Sequence, residues 1–286
     1  MIIQSLGITS CLGGPERQCG YAAEMLRNEF ARSKNGLFKL QWHMLHPDNK
    51  GTNEDQLIRL NTAISQYSAQ CLKQNQPFLV IGGDHSCALG TWSGILNTLG
   101  TAKKLGLIWL DAHLDAHTFS TSLSGNIHGM SVAALLGCAD KKLARFYPSN
   151  HAIDAENLKM IGIRSYEEKE YQLLKQQHVD ITFADQISNL TQLLSSTVTQ
   201  LSQRCEFIGI SIDLDVVDPK DAPGVETPVD GRINAEELIK AISAIRNKRN
   251  ICALEISEFN PENDVNNKTL LLIKSIVDAF YQPKKL

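Results

Sequence analysis

The feature that most constrains the fold is an unbroken apolar run, Leu105–Leu110 (LGLIWL), that stops at Asp111, His113 and Asp115. A strand with one wet face alternates apolar and polar residues; a run without alternation needs cover on both faces, as in a parallel sheet flanked by helices. Two further runs behave alike. Residues 207–212 (FIGISI) lead into Asp213 and Asp215, and Phe78–Ile81 leads through Gly82 and Gly83 into Asp84 and His85. Paired glycines let the backbone turn sharply there. Sites in open α/β sheets form beyond the carboxyl ends of strands, so three runs that deliver carboxylates and imidazoles to such ends read as one constellation.

The spacing within that constellation points to metal. Asp111, His113 and Asp115 stand at i, i+2 and i+4, so if strand geometry persists they share a face. Carboxylates gathered without a cation repel one another. Oxygen and imidazole donors with no thiolate favour manganese or a similar ion over structural zinc. About six ligands exceed the needs of one tetrahedral ion and suit two ions about 3.5–4 Å apart, bridged by shared carboxylates and a hydroxide.

The rest of the chain reads as alternating strands and helices. Strands are expected over residues 2–8, 38–45, 78–81, 105–110, 158–163, 179–183, 207–213 and 251–256, and helices over 53–74, 167–176, 186–201, 235–247 and 267–281. Shorter helices are expected near Gly20, after His85 and beyond Gly129. Strict alternation without a linker or repeat predicts one α/β domain over 1–286, a three-layer α/β/α arrangement with a mostly parallel sheet of about eight strands.

A hydrophobic content of 43% is ample for a core, and a net charge of −3 from 28 basic and 31 acidic residues leaves no electrostatic footprint for nucleic acid. No apolar run reaches the length of a membrane span, and the opening MIIQSLGITS lacks the pattern of a signal peptide. Seven scattered cysteines without a CxxC read as reduced thiols, which predicts a cytoplasmic protein.

Six segments carry a resemblance: GGDHS at 82–86, DAHLD at 111–115, SGNIHG at 124–129, SIDLDVVDP at 211–219, ETPV at 226–229 and EISEFNP at 255–261. In this order and spacing the chain resembles the ureohydrolase family, and within it the arginases, from about residue 76 onward. The resemblance implies two Mn2+ per subunit, one held by His85, Asp111, Asp115 and Asp213, the other by Asp111, His113, Asp213 and Asp215. It implies hydrolysis of L-arginine to L-ornithine and urea by a metal-bridging hydroxide, and a homo-oligomer, trimer or hexamer. The alternative is a related amidino hydrolase acting on agmatine, 4-guanidinobutyrate or formiminoglutamate.

Roles carry over position by position. Glu258 matches the glutamate that pairs with the guanidinium, Asp115 would accept the hydroxide's proton, and His128 matches a proton shuttle, an assignment suited to imidazole chemistry. Thr227 matches a residue lining the guanidinium pocket. In the loop 117–126, His117, Ser122, Ser124 and Asn126 supply neutral donors for the substrate carboxylate. His117 departs from the asparagine usual in the family. Glu167 stands where arginases place an aspartate facing the substrate amino group, and Glu170 keeps the family glutamate. Both acids also suit the first turn of a helix, where carboxylates are favoured anyway.

Overall fold

A computed structural model describes residues 1–15, 18–32, 38–245 and 250–281. Its strands are β1 (Ile2–Ile8), β2 (Lys39–Leu45), β3 (Phe78–Ile81), β4 (Leu105–Leu110), β5 (Leu158–Ile163), β6 (Asp180–Phe183), β7 (Phe207–Asp213) and β8 (Ile251–Ser257). They form one sheet in the order β2-β1-β3-β8-β7-β4-β5-β6. Every pairing is parallel. The helices are α1 (Ala22–Arg32), α2 (Asn53–Lys73), α3 (Ala88–Leu99), α4 (Ser131–Leu135), α5 (Glu168–Gln176), α6 (Leu190–Ser202), α7 (Ala235–Ala244) and α8 (Lys268–Tyr281).

The unbroken apolar runs are explained by burial: β3, β4 and β8 are buried at every position. Alternate side chains of β4 serve opposite faces. Ile108 and Leu110 join a core built with α1, α6, α7 and α8, while Leu107 and Trp109 join one built with α2, α3, α4 and α5. The chain therefore has the three layers its sequence predicts.

Local signals set most boundaries. Thr52 caps α2 by accepting the N–H of Asp55, whose carboxylate accepts the N–H of Thr52 in return. α6 starts later than expected because Asn189, not a residue near 186, accepts an N–H from its first turn, at Gln192. The expected end of α7 near 247 lies outside the described residues. No helix among the described residues is long and apolar enough to cross a membrane.

Cys11 and Cys19, read as scattered thiols, lie side by side with Cα atoms 5.8 Å apart. A turn after β1 followed by a single 3-10 turn at Gln18–Tyr21 folds residues eight apart together, a proximity that no CxxC spacing announces. The other cysteines, at 71, 87, 138, 205 and 252, are free.

Candidate active site

The carboxyl ends of five adjacent strands, β3, β8, β7, β4 and β5, supply the site. Three of these ends share one local device, an aspartate that accepts a backbone N–H two residues ahead and so curls the chain. Asp84 accepts from Ser86 at 2.9 Å, Asp111 from His113 at 2.6 Å and Asp213 from Asp215 at 2.9 Å. The convergence of Asp111, His113 and Asp115 is thus not an extension of β4, which stops at Leu110. The Asp111 turn and a left-handed φ of 47° at Asp115 replace the expected strand alternation.

Around these turns the expected ligands meet. The buried His85 Nδ1 lies 3.3 Å from Asp111 Oδ2, 3.1 Å from Asp115 Oδ2 and 3.2 Å from Asp213 Oδ2. His113 Nδ1 lies 2.9 Å from Asp215 Oδ2 and 3.7 Å from Asp111 Oδ1. Donor atoms fall into two groups, His85 with Asp111, Asp115 and Asp213, and His113 with Asp111 and Asp215. Asp111 belongs to both. Asp213, expected in both, belongs to the first.

The donors suit cations. His85 Nδ1 and Asp115 Oδ2 are buried, face each other at 3.1 Å and make no hydrogen bond. On the far side of the ring, His85 Nε2 meets Ser211 Oγ at 2.9 Å, Ser211 donates to Glu255 Oε1 at 2.8 Å, and Trp92 Nε1 donates to the same oxygen at 3.0 Å. Because the serine proton goes to Glu255, its oxygen accepts from His85 Nε2–H, so that in the neutral imidazole it is Nδ1 that carries the lone pair a metal needs.

Charge in the cluster is unbalanced toward the negative. Burial, with Asp115 and Asp215 beside it, raises Asp111 to about 7, and burial with Asp215 and Asp111 raises Asp213 well above the carboxylate range. Burial opposes protonation of His113, yet Asp215 outweighs it and holds the imidazole up at about 11. Burial likewise opposes protonation of His85, and Asp111, Asp115 and Asp213 raise it well above its usual value. Gathered carboxylates thus draw in protons, the response of a site whose donors suit added positive charge.

A cavity of about 200 Å³ opens onto this cluster, lined by His113, Asp115 and Asp213 together with His117, Ser122, Ser124, Asn126, His128, Glu167, Glu170 and Thr227. A larger cavity of about 630 Å³ beside β5 and β6, near Arg164, Tyr166 and Phe183, gathers no ligand set among the described residues. The Arg164 guanidinium there is taken by the carbonyls of Gly162, Asp215, Val216, Val229 and Asp230.

Glu258 Oε1 accepts the backbone N–H of His85 at 2.6 Å and pairs with His128 Nδ1 at 3.0 Å, while Oε2 is buried without a partner. Glu258 has φ 66°, so it and Asp115 are left-handed non-glycine residues, a conformation that costs about 1–3 kcal/mol each and persists where the surroundings enforce it. Thr227 Oγ1 donates to Asp215 Oδ2 at 3.1 Å. Ser122 Oγ and Ser124 Oγ accept N–H groups of their own loop, from Gly125 and Asn126. His117 Nε2 lies 2.8 Å from Glu167 Oε2 and 2.5 Å from Glu170 Oε2. The Glu170 contact, with Glu167 and against burial, raises His117 to about 9.

Sequence reasoning missed Ser211 and Glu255. Glu255 carried a signal, as the one charge inside the apolar run of β8; Ser211 carried none.

Comparisons with known proteins agree with this geometry. The sequence profile of the Arginase family matches residues 18–281. The arginase of Bacillus subtilis strain 168 is 36% identical over 245 residues, covering 82% of this chain and 80% of that protein. The arginase of Bacillus caldovelox is 33% identical over 239 residues, covering 83% and 79%. The crystal structure of the arginase from Bacillus subtilis subsp. subtilis strain 168 superposes with a TM-score of 0.89 at 31% identity, over 100% of each chain. With the profile spanning nearly its whole length, its five-strand site and its relatives in accord, the chain belongs to the arginase family.

Proposed function

We propose that this chain hydrolyses L-arginine to L-ornithine and urea with two manganese ions. One ion is held by His85, Asp111, Asp115 and Asp213, the other by Asp111, His113 and Asp215, to which the sequence resemblance adds Asp213. When bound, the ions supply the Lewis acidity that makes water a nucleophile near neutral pH. The observation that carries the reading is the facing pair His85 Nδ1 and Asp115 Oδ2, buried and without hydrogen bonds among converging carboxylates.

The chain's own residues do the rest. Glu258 Oε2, unpartnered, accepts a guanidinium N–H, while its other oxygen is fixed by His85 and His128. Asp115 takes up a proton, and His128, held protonated beside Glu258, donates one to the leaving amine. Thr227 lines the guanidinium end of the pocket; Ser122, Ser124 and Asn126 meet the substrate carboxylate, and Glu167 and Glu170, both in contact with His117, lie at its amino end. We further propose a cytoplasmic homo-oligomer, a trimer or hexamer, built of single-domain subunits over 1–286.

The test is urea release by manganese-loaded protein from L-arginine, agmatine and 4-guanidinobutyrate, with formamide followed for formiminoglutamate. Turnover of L-arginine above the others is expected. Preference for another compound would retain the chemistry and overturn the substrate.

A further inference from the structure

We propose that His117 is a specificity-determining residue that occupies, from within the chain, the acceptors that Glu167 and Glu170 offer to a cation in the pocket. The inference rests on the arginine reading above and sharpens its substrate class: this chain accepts guanidino carboxylates whether or not they carry an α-amino group.

The clamp is built rather than incidental. Its members run from surface to interior, the Glu167 side chain being 65% exposed, His117 13% and Glu170 3%. One ring nitrogen, Nε2, meets both carboxylates, at 2.8 Å and 2.5 Å. The other, Nδ1, lies 3.1 Å from Thr121 Oγ1, which is itself held by the N–H of Thr118 at 2.9 Å. The backbone N–H of His117 donates to the carbonyl of Gly129 at 3.0 Å, which fixes the ring's origin beside the pocket. All three clamp residues line the same cavity as Asp115 and Asp213.

Two glutamates at the end of a guanidine pocket are suited to an ammonium, since a buried carboxylate such as Glu170 demands a donor. Here the imidazole Nε2 already stands 2.5 Å from the Glu170 carboxylate and hydrogen-bonds Glu167 at 2.8 Å. A substrate ammonium must displace it, and the gain from binding is reduced by what is broken. The amino group therefore contributes little to recognition, while the neutral hydroxyls of Ser122 and Ser124 remain for a carboxylate.

The experiment compares kcat/KM for L-arginine and for 5-guanidinopentanoate, which is arginine without its amino group, in manganese-loaded wild type and His117→Asn. Releasing the glutamates is expected to raise the arginine preference by about tenfold, the value of one hydrogen bond to a charged group. Thr121→Val, which frees the ring from its other side, is expected to move the preference in the same direction by a smaller factor, and it serves should His117→Asn not fold. A preference that stays constant or falls in the folded variants overturns the inference while leaving the function intact. Wild type that releases no urea from either compound overturns both.

Discussion

His128 and Glu258 are joined through a single carboxylate oxygen. Glu258 Oε1 takes both the His128 Nδ1 contact at 3.0 Å and the backbone N–H of His85 at 2.6 Å, so one atom ties the segment after β4 to the turn after β3. Burial opposes protonation of His128, but Glu258 prevails and raises the imidazole to about 9. Its folded value thus exceeds the unfolded one, about 6.5. The stabilisation is complete below that unfolded value and drains away as pH rises through about 9. In metal-free protein, the melting temperature of wild type should fall more steeply over this interval than that of His128→Asn. Parallel pH dependence in the two would refute the coupling.

His128→Asn should also retain its manganese while turning over more slowly, with the alkaline limb of the pH–rate profile altered. Metal content and the profile are measured on the same preparation; an unchanged profile counts against a proton-donating role.

Asp115→Ala and Asp213→Ala each remove a carboxylate that lies within 3.2 Å of His85 Nδ1. Both variants are expected to lose bound manganese and urea production together. Full metal occupancy with full rate in either one would exclude that residue as a ligand.

Ser211→Ala breaks the relay from Glu255 to His85 without touching a carboxylate ligand. The His85 ring then loses the acceptor that fixes its Nε2–H, and manganese affinity should weaken by about 10–100-fold. Titration calorimetry reads the change, and Ser211→Thr, which keeps the hydroxyl, should restore most of it. Unaltered affinity in the alanine variant would show that the relay does not orient the ligand.

Gly209→Ala tests the packing behind that relay. A β-carbon at Gly209 would stand 2.1 Å from Trp92 Cζ3, and Trp92 is fully buried. Overpacking of this kind costs about 1–3 kcal/mol. Because the Trp92 indole donates to Glu255, the variant should lose both melting temperature and manganese affinity; a stability like that of wild type would mean the ring has room to retreat.

The strands of the centre and their terminal ligands were legible in the sequence, because parallel burial leaves unbroken runs such as LGLIWL and a carboxylate at the end of one has few bland explanations. The division into two donor groups came from the family resemblance, which expected Asp213 in both; the donor atoms put it in the first alone. What the sequence conceals is side-chain partnership across strands. Ser211 looks like any small strand residue until Glu255 is seen beside it in the register of β7 and β8. The meeting of Cys11 with Cys19 and the His117 clamp depend in the same way on turns and on a neighbour fifty residues away. The curl at Asp111 was hidden because periodicity describes a strand but not where its last carboxylate bends the chain.

The strand order also dictates when the centre comes into being. β7 and β8 are the last strands made, yet they lie between β3 and β4, so the earlier strands form two separate ribbons, β2-β1-β3 and β4-β5-β6, with no bond between them. During synthesis each ribbon presents an apolar edge that waits for a partner. Asp213 and Asp215 arrive with β7, Glu255 and Glu258 with β8. A nascent chain therefore owns no complete metal site until those strands slot home. Since a ligand stabilises only the state that binds it, a metal ion held there would act as a seal on finished molecules and give no help to the ones still being built.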